Sequence, residues 1–204
     1  MKKKILLLAG LMMAFALNSY AEGPSYAKQA TEMMNRDFQP RGIVKLDQLK
    51  QDFTVETCTR YRGLPPTPLA RLIEKDQLAT IQYPADGQYM GDWKRGEKIA
   101  QSGRGMTWSD KVDTVNGGGC YGCHRLSGTE LAYGSIGPSL YQFGKLRGGP
   151  TEANQKYVYG KIYNSEAYAA CSNMPRFGYH GILTEAQIKD LVALVLDPAS
   201  PVNQ

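Results

Sequence analysis

The sequence predicts a mostly α protein with long loops. Three observations carry that expectation. Segments with apolar residues every three or four positions recur along the chain, strand-like alternation is weak throughout, and the intervening stretches are rich in Gly and Pro. At 204 residues the chain has room for one to one and a half typical domains. An apolar content of 42% with 21% charged residues excludes a disordered or fibrous protein. The longest apolar run, Ile5 to Leu17, falls short of the roughly 20 residues a membrane helix needs, so no membrane span is expected. Only His124 and His180 supply imidazoles, which leaves little room for a multi-histidine metal site.

The N-terminus opens with Lys2, Lys3 and Lys4, then the apolar run, then Ser19-Tyr20-Ala21. Small residues at positions 19 and 21 suit a signal peptidase, so residues 1–21 read as a secretory signal peptide. No lipobox cysteine follows Ala21, and the mature chain is expected to be soluble and periplasmic. Three lysines leave with the leader, which lowers the formal charge from +5 to +2. The basicity that would favour nucleic acid is then mostly gone, and no nucleic-acid partner is expected.

Residues 22–92 form an N-terminal α and irregular extension without a chemical motif, expected to pack on the domain that follows. Ser25 to Phe38 reads as an amphipathic helix broken by Pro40-Arg41-Gly42. Leu46 to Phe53 reads as a second, short helix, with apolar residues at 46, 49 and 53. Pro65-Pro66-Thr67-Pro68 is a stiff extended stretch, and Leu69 to Ile81 a third helix. In residues 93–204 the elements are a short helix, Trp93 to Gln101, a Gly-rich loop, 116–119, a second loop, 134–150, and a helix from Thr151 to Asn164. Another loop, 171–181, precedes the clearest helix, Thr184 to Leu196. Thr184 with Gln187 fits a capping box there, and Ile188, Leu191, Val192 and Val195 share one face.

What the loops enclose is indicated by Cys120-Tyr121-Gly122-Cys123-His124. C-x-x-C-H is the attachment sequence of c-type haem. Two thiols three residues apart reach the two vinyl groups of one porphyrin, and the next residue points an imidazole at the iron. The competing readings are a thioredoxin-like pair, half of a zinc site or a disulfide. A redox C-x-x-C usually follows a hydrophobic strand at the start of a helix, and none precedes Cys120. A zinc site needs two further ligands, and Cys58, Cys171 and His180 lack matching spacing. One covalently attached haem c is therefore expected, held by Cys120 and Cys123, with His124 on the iron. A six-coordinate haem takes a second axial ligand. Met174, in Asn173-Met174-Pro175-Arg176-Phe177-Gly178, is the expected one, because Pro175 stiffens the loop that must hold the thioether; His180 and Met106 are its rivals.

Over residues 93–198 the chain resembles the class I cytochromes c, on the short helix, the C-x-x-C-H, the Gly137-Pro138-Ser139-Leu140 turn, the Met-Pro loop and the C-terminal helix. The resemblance implies that fold for residues 93–204, with the Pro138 carbonyl accepting a hydrogen bond from His124. More narrowly, Gly96-Glu97-Lys98-Ile99-Ala100, Ser102-Gly103-Arg104-Gly105, Leu131-Ala132-Tyr133-Gly134, Ile136 to Tyr141, Asn173 to Gly178 and, upstream, Tyr83 to Gly87 resemble the SoxX family. SoxX proteins are the monohaem subunits of the SoxAX L-cysteine S-thiosulfotransferase. That resemblance implies a heterodimer with a SoxA-like cytochrome subunit, which holds the catalytic centre. It also implies a SoxYZ-like carrier, whose cysteine is joined to thiosulfate with release of two electrons, and a small soluble cytochrome c as acceptor. The alternative is a free-standing periplasmic electron carrier. No catalytic residue is expected in this chain.

Cys58 and Cys171 remain. A disulfide between them is expected in an oxidising compartment; free buried thiols, a copper site or a sulfane-sulfur site are the other options. Lys145, Arg147, Lys156, Lys161 and Arg176 read more simply as solvated surface than as a docking rim. Tyr157, Tyr159, Tyr163 and Tyr168 read as core lining, and Trp93 and Trp108 as packing residues.

Overall fold

The computed structural model of the chain describes residues 26–204; the expected signal peptide lies outside them. The chain divides into two compact units between Gln39 and Pro40. In the first unit the described residues form α1 (Tyr26–Asp37), within the span that the amphipathic pattern predicts. Lys28 and Glu32 pair across one turn of it.

The second unit is helical. Among the described residues there is no strand, only an isolated bridge between Arg41 and Val44. Its helices are α2 (Phe53–Arg60), α3 (Thr67–Leu78), α4 (Trp93–Gln101), α5 (Phe143–Leu146), α6 (Glu152–Tyr163) and α7 (Glu185–Leu196). No helix among the described residues is long and apolar enough to cross a membrane.

Most boundaries follow from caps. The Asp92 carboxylate accepts from the Lys94 N–H at the start of α4, and Thr151 caps α6. Both reciprocal bonds of the Thr184–Gln187 capping box start α7. Three expectations are corrected. The stretch 134–150, expected to be loop, contains the single helical turn α5. The helix predicted over 46–53 is a single 3-10 turn, Leu46–Leu49, and the α-helix starts where the prediction stopped, at Phe53. Asp52 is the reason: its carboxylate accepts from the Val55 N–H at 2.8 Å and nucleates α2 there. Likewise Thr67 and Pro68 open α3 rather than prolonging an extended stretch, because a proline in the first turn has no N–H to leave unsatisfied.

The core is built on α7, of which Leu191, Val192, Ala193, Leu194, Val195 and Leu196 are all buried. Crossing it is α4, and the two backbones touch at Gly96, where a Cβ would land on the Asp190 carbonyl. The Asp190 carboxylate secures the crossing by accepting from the Asp92 N–H at 2.7 Å and from Arg95 Nε and Nη2 at 2.8 Å each. From α6, Val158, Tyr159 and Ile162 complete the apolar cluster, with Leu126, Leu183 and Val202. At roughly 1.5–3 kcal/mol per buried large aliphatic side chain, this cluster is the main source of stability.

Candidate haem-attachment site

The C-x-x-C-H segment is hung from the end of α4 by backbone bonds. The Gly118 N–H donates to the Ile99 carbonyl and the Gly119 N–H to the Ser102 carbonyl, both at 2.8 Å. Residues Cys120–Gly122 then make one 3-10 turn, and the His124 N–H closes it on the Cys120 carbonyl at 2.9 Å. This turn sets the spacing of the two cysteines and the histidine. Tyr121 ties it back to α4, its hydroxyl donating to Glu97 Oε1 at 2.8 Å. Burial first, then that bond and the Glu97 charge, raise the Tyr121 hydroxyl well above its ordinary pKa.

The turn at residues 137–140 runs alongside. Gly137 N–H donates to the Cys123 carbonyl and Leu140 N–H to the Arg125 carbonyl. This brings the Pro138 carbonyl 2.7 Å from His124 Nδ1. A carbonyl can only accept, so Nδ1 carries the proton and the Nε2 lone pair is left for a metal. Residue 137 has to be glycine, since a Cβ there would clash with the atoms of the His124 ring.

Cys120 and Cys123 are both free thiols. Burial first, with the neighbouring Cys123 and Glu97 adding to it, pushes the Cys120 thiol up to about 12. A thioredoxin-like pair needs the opposite, a thiol stabilised as thiolate. Among the described residues no three His, Cys, Asp or Glu side chains gather as a metal cluster, so none of them adds a zinc ligand to this segment. The donor set fits haem c: two free thiols at the C-x-x-C spacing and one imidazole held by its far nitrogen.

Met174 lies in the loop 171–181 and packs against the same apolar cluster as Cys120 and Tyr121. Its carbonyl accepts from Ser165 Oγ and its N–H donates to Ser172 Oγ. Of its rivals, His180 stays exposed with its ring edge-on to Tyr179, and Met106 has its sulfur engaged by Asn116 Nδ2 at 3.5 Å.

Cys58 and Cys171 form the expected disulfide. Around it lies a polar cluster that the sequence analysis misses. Arg176, grouped there with surface cations, is only 5% exposed. It donates from Nη2 to Asp52 Oδ2 at 2.6 Å and from Nη1 to Gln77 Oε1 at 3.2 Å, and Glu166 Oε2 lies 3.5 Å from Nη1. Burial pushes the Asp52 carboxyl up, but the Val55 N–H, the Arg176 bond and charge and the His180 charge outweigh it and hold the group below the usual carboxylate value. For Glu166 burial wins over the Arg176 charge, and its carboxyl is raised. The sequence signal was there in Asp52 as an N-cap, but not its partner 124 residues away. Lys161 is likewise half-buried, donating to the Ser165 carbonyl, whereas Lys145, Arg147 and Lys156 are exposed. Tyr159 lines the core as expected, with Tyr163 stacked on it and Tyr157 at the rim. Trp93 packs on the core, but Trp108 is 51% exposed under the Arg41 guanidinium.

A long-loop helical scaffold presenting a C-x-x-C-H turn and a carbonyl-tethered imidazole defines a haem-attaching protein. Residues 94–197 match the sequence profile of the cytochrome c family, and the chain belongs to that family. Membership implies covalently bound haem and electron transfer. The chain is also 41% identical over 157 residues to an uncharacterized lipoprotein of Aquifex aeolicus (strain VF5), covering 76% of this chain and 73% of that one. That likeness is longer than the family match, so it runs upstream of residue 94 into the extension.

Proposed function

We propose that the protein is an exported one-haem cytochrome c that serves as the SoxX-like electron-transfer subunit of a thiosulfate-coupling complex. Residues 93–204 are its haem domain and 22–92 an extension of it. The observation that carries the haem reading is the His124 Nδ1 to Pro138 carbonyl bond within the C-x-x-C-H segment. When bound, haem c supplies a one-electron iron couple. Cys120 and Cys123 would anchor it, His124 and Met174 would ligate its iron, and the Pro138 carbonyl, bonded to His124 Nδ1, would orient the imidazole and raise its basicity. With His124 and Met174 both holding the iron, substrate would have no place on it, and the chain would relay charge.

Its own cysteines are committed as well, two to the haem and two to the Cys58–Cys171 bridge. The thiol chemistry of joining thiosulfate to a SoxYZ-like carrier therefore falls to a SoxA-like partner, and this chain passes the released electrons to a small soluble cytochrome c. The segments at 96–100, 131–134, 136–141 and 173–178 support that narrower reading. Export is supported by the N-terminal leader pattern and by the relative's description as a lipoprotein.

Purification from native periplasm tests both levels. One haem per chain in a pyridine haemochrome assay is expected, with a second haem chain co-eluting. A colourless protein would overturn the haem reading. A red protein that elutes alone, and whose deletion leaves thiosulfate oxidation intact, would leave a free-standing carrier.

A further inference from the structure

Both flanks of the loop that carries Met174 are fastened to the extension rather than to the haem domain alone. Before Met174, Cys171 is bridged to Cys58 in α2, and the Ala170 N–H donates to Glu74 Oε1 of α3 at 3.2 Å. After it, Arg176 reaches Asp52 at the cap of α2 and Gln77 of α3. Gln77 is itself fixed, donating to Thr54 Oγ1 at 3.0 Å and accepting from Asn164 Nδ2 at 2.8 Å. Cys171 has φ +60°, a conformation an L side chain rarely adopts, so the loop backbone is held against its own preference. Met174 itself is held through its backbone by bonds to Ser172 of the loop and to Ser165 before it.

A thioether is a neutral, weak donor. Its occupancy of a metal depends on the effective concentration at which the chain presents it, which a stiff and doubly tethered loop raises. We propose that residues 40–92 clamp the distal ligand, with Cys58 and Asp52 as the positioning residues that fasten the two flanks of the Met174 loop and Gln77 as their brace. The inference rests on Met174 being the distal ligand. It assigns to the extension a function in setting the redox centre, distinct from any role in binding a partner subunit.

The test uses the full-length holoprotein. The wild type is expected to show the weak far-red absorption band of methionine ligation when oxidised, and Met174→Ala to lose it. In Cys58→Ser/Cys171→Ser the clamp predicts a diminished band, a lower reduction potential and easier carbon monoxide binding at the reduced haem. Because carbon monoxide selects the methionine-off population, its apparent affinity rises in proportion to that population, and roughly tenfold is expected.

Asp52→Asn gives a second arm should the bridgeless chain not fold. Asparagine caps a helix about as well as aspartate, so this variant keeps the start of α2 and removes only the ion pair. It should shift all three readouts in the same direction by less. Leu194→Ala, in α7, is the control for general destabilisation.

A wild-type protein without the band would overturn the ligand assignment and the clamp together. A wild-type band that survives unchanged in the bridgeless and Asp52→Asn proteins, or one that Leu194→Ala diminishes as much, would overturn the clamp alone.

Discussion

Asp52 and Glu166 face the same guanidinium, and their environments push them in opposite directions. The folded Asp52 holds its proton less readily than the unfolded chain. Its stabilisation is therefore full above the unfolded value of about 3.9 and is lost as pH falls through the lower folded value. Glu166 is the reverse: the fold favours its protonated form, so a cost appears as pH rises above the unfolded value of about 4.3 and is complete above the raised folded one. Glu166→Gln is expected to raise the melting temperature at pH 7, the gain vanishing below pH ~4. Asp52→Asn is expected to lower it at pH 7, the loss vanishing only in stronger acid. Melting curves of both variants between pH 2 and about 8 check the signs. At Gly137 the constraint is steric. A methyl group there displaces the His124 ring from the Pro138 carbonyl. Gly137→Ala should yield mostly haem-free polypeptide, and a normal haem-to-protein ratio would contradict the account.

Among the elements, the α4–α7 crossing carries the most. Backbone meets backbone at Gly96, and Asp190 is satisfied by three donors. Gly96→Ala forces the helices apart and is expected to cost about 1–3 kcal/mol, as overpacking does. Leu194→Ala, with no exposed surface, should cost about 2–5 kcal/mol through lost burial and a cavity. Removing the capping hydroxyl in Thr184→Ala should cost only about 1 kcal/mol. Urea titration of the three proteins ranks them, and a Gly96→Ala protein as stable as the wild type would refute the close crossing.

Over the whole molecule, the Cys58–Cys171 bridge joins residues 113 positions apart. Closing a loop of that length in the unfolded chain is worth about 4–5 kcal/mol in the chain-entropy treatment. Cys58→Ser/Cys171→Ser is expected to lose stability of that order in denaturant titration, and a loss under about 1 kcal/mol would mean that the unfolded chain stays compact without it. The same bridge, with Arg176–Asp52, makes residues 40–92 part of the compact unit that holds the haem-attachment turn.

The sequence by itself determined whatever is written locally. The three longer helices of 93–204 were legible from periodicity and, for α7, from the Thr184–Gln187 capping box, whereas the short α5 was not; the C-x-x-C-H needs only adjacent residues to be chemically meaningful. The tether of His124 to Pro138 followed only from the resemblance of the turn at 137–140 to that of the class I cytochromes c. Short-range rules failed where two of them competed, as at Asp52, where an apolar spacing suggested one helix and a cap started another. Tertiary structure alone decided the fate of Arg176, which composition made a surface cation and the fold buried. Its partners Asp52, Gln77 and Glu166 come from three separate elements, and a charge is buried only where such distant groups converge to pair with it and hydrogen-bond it.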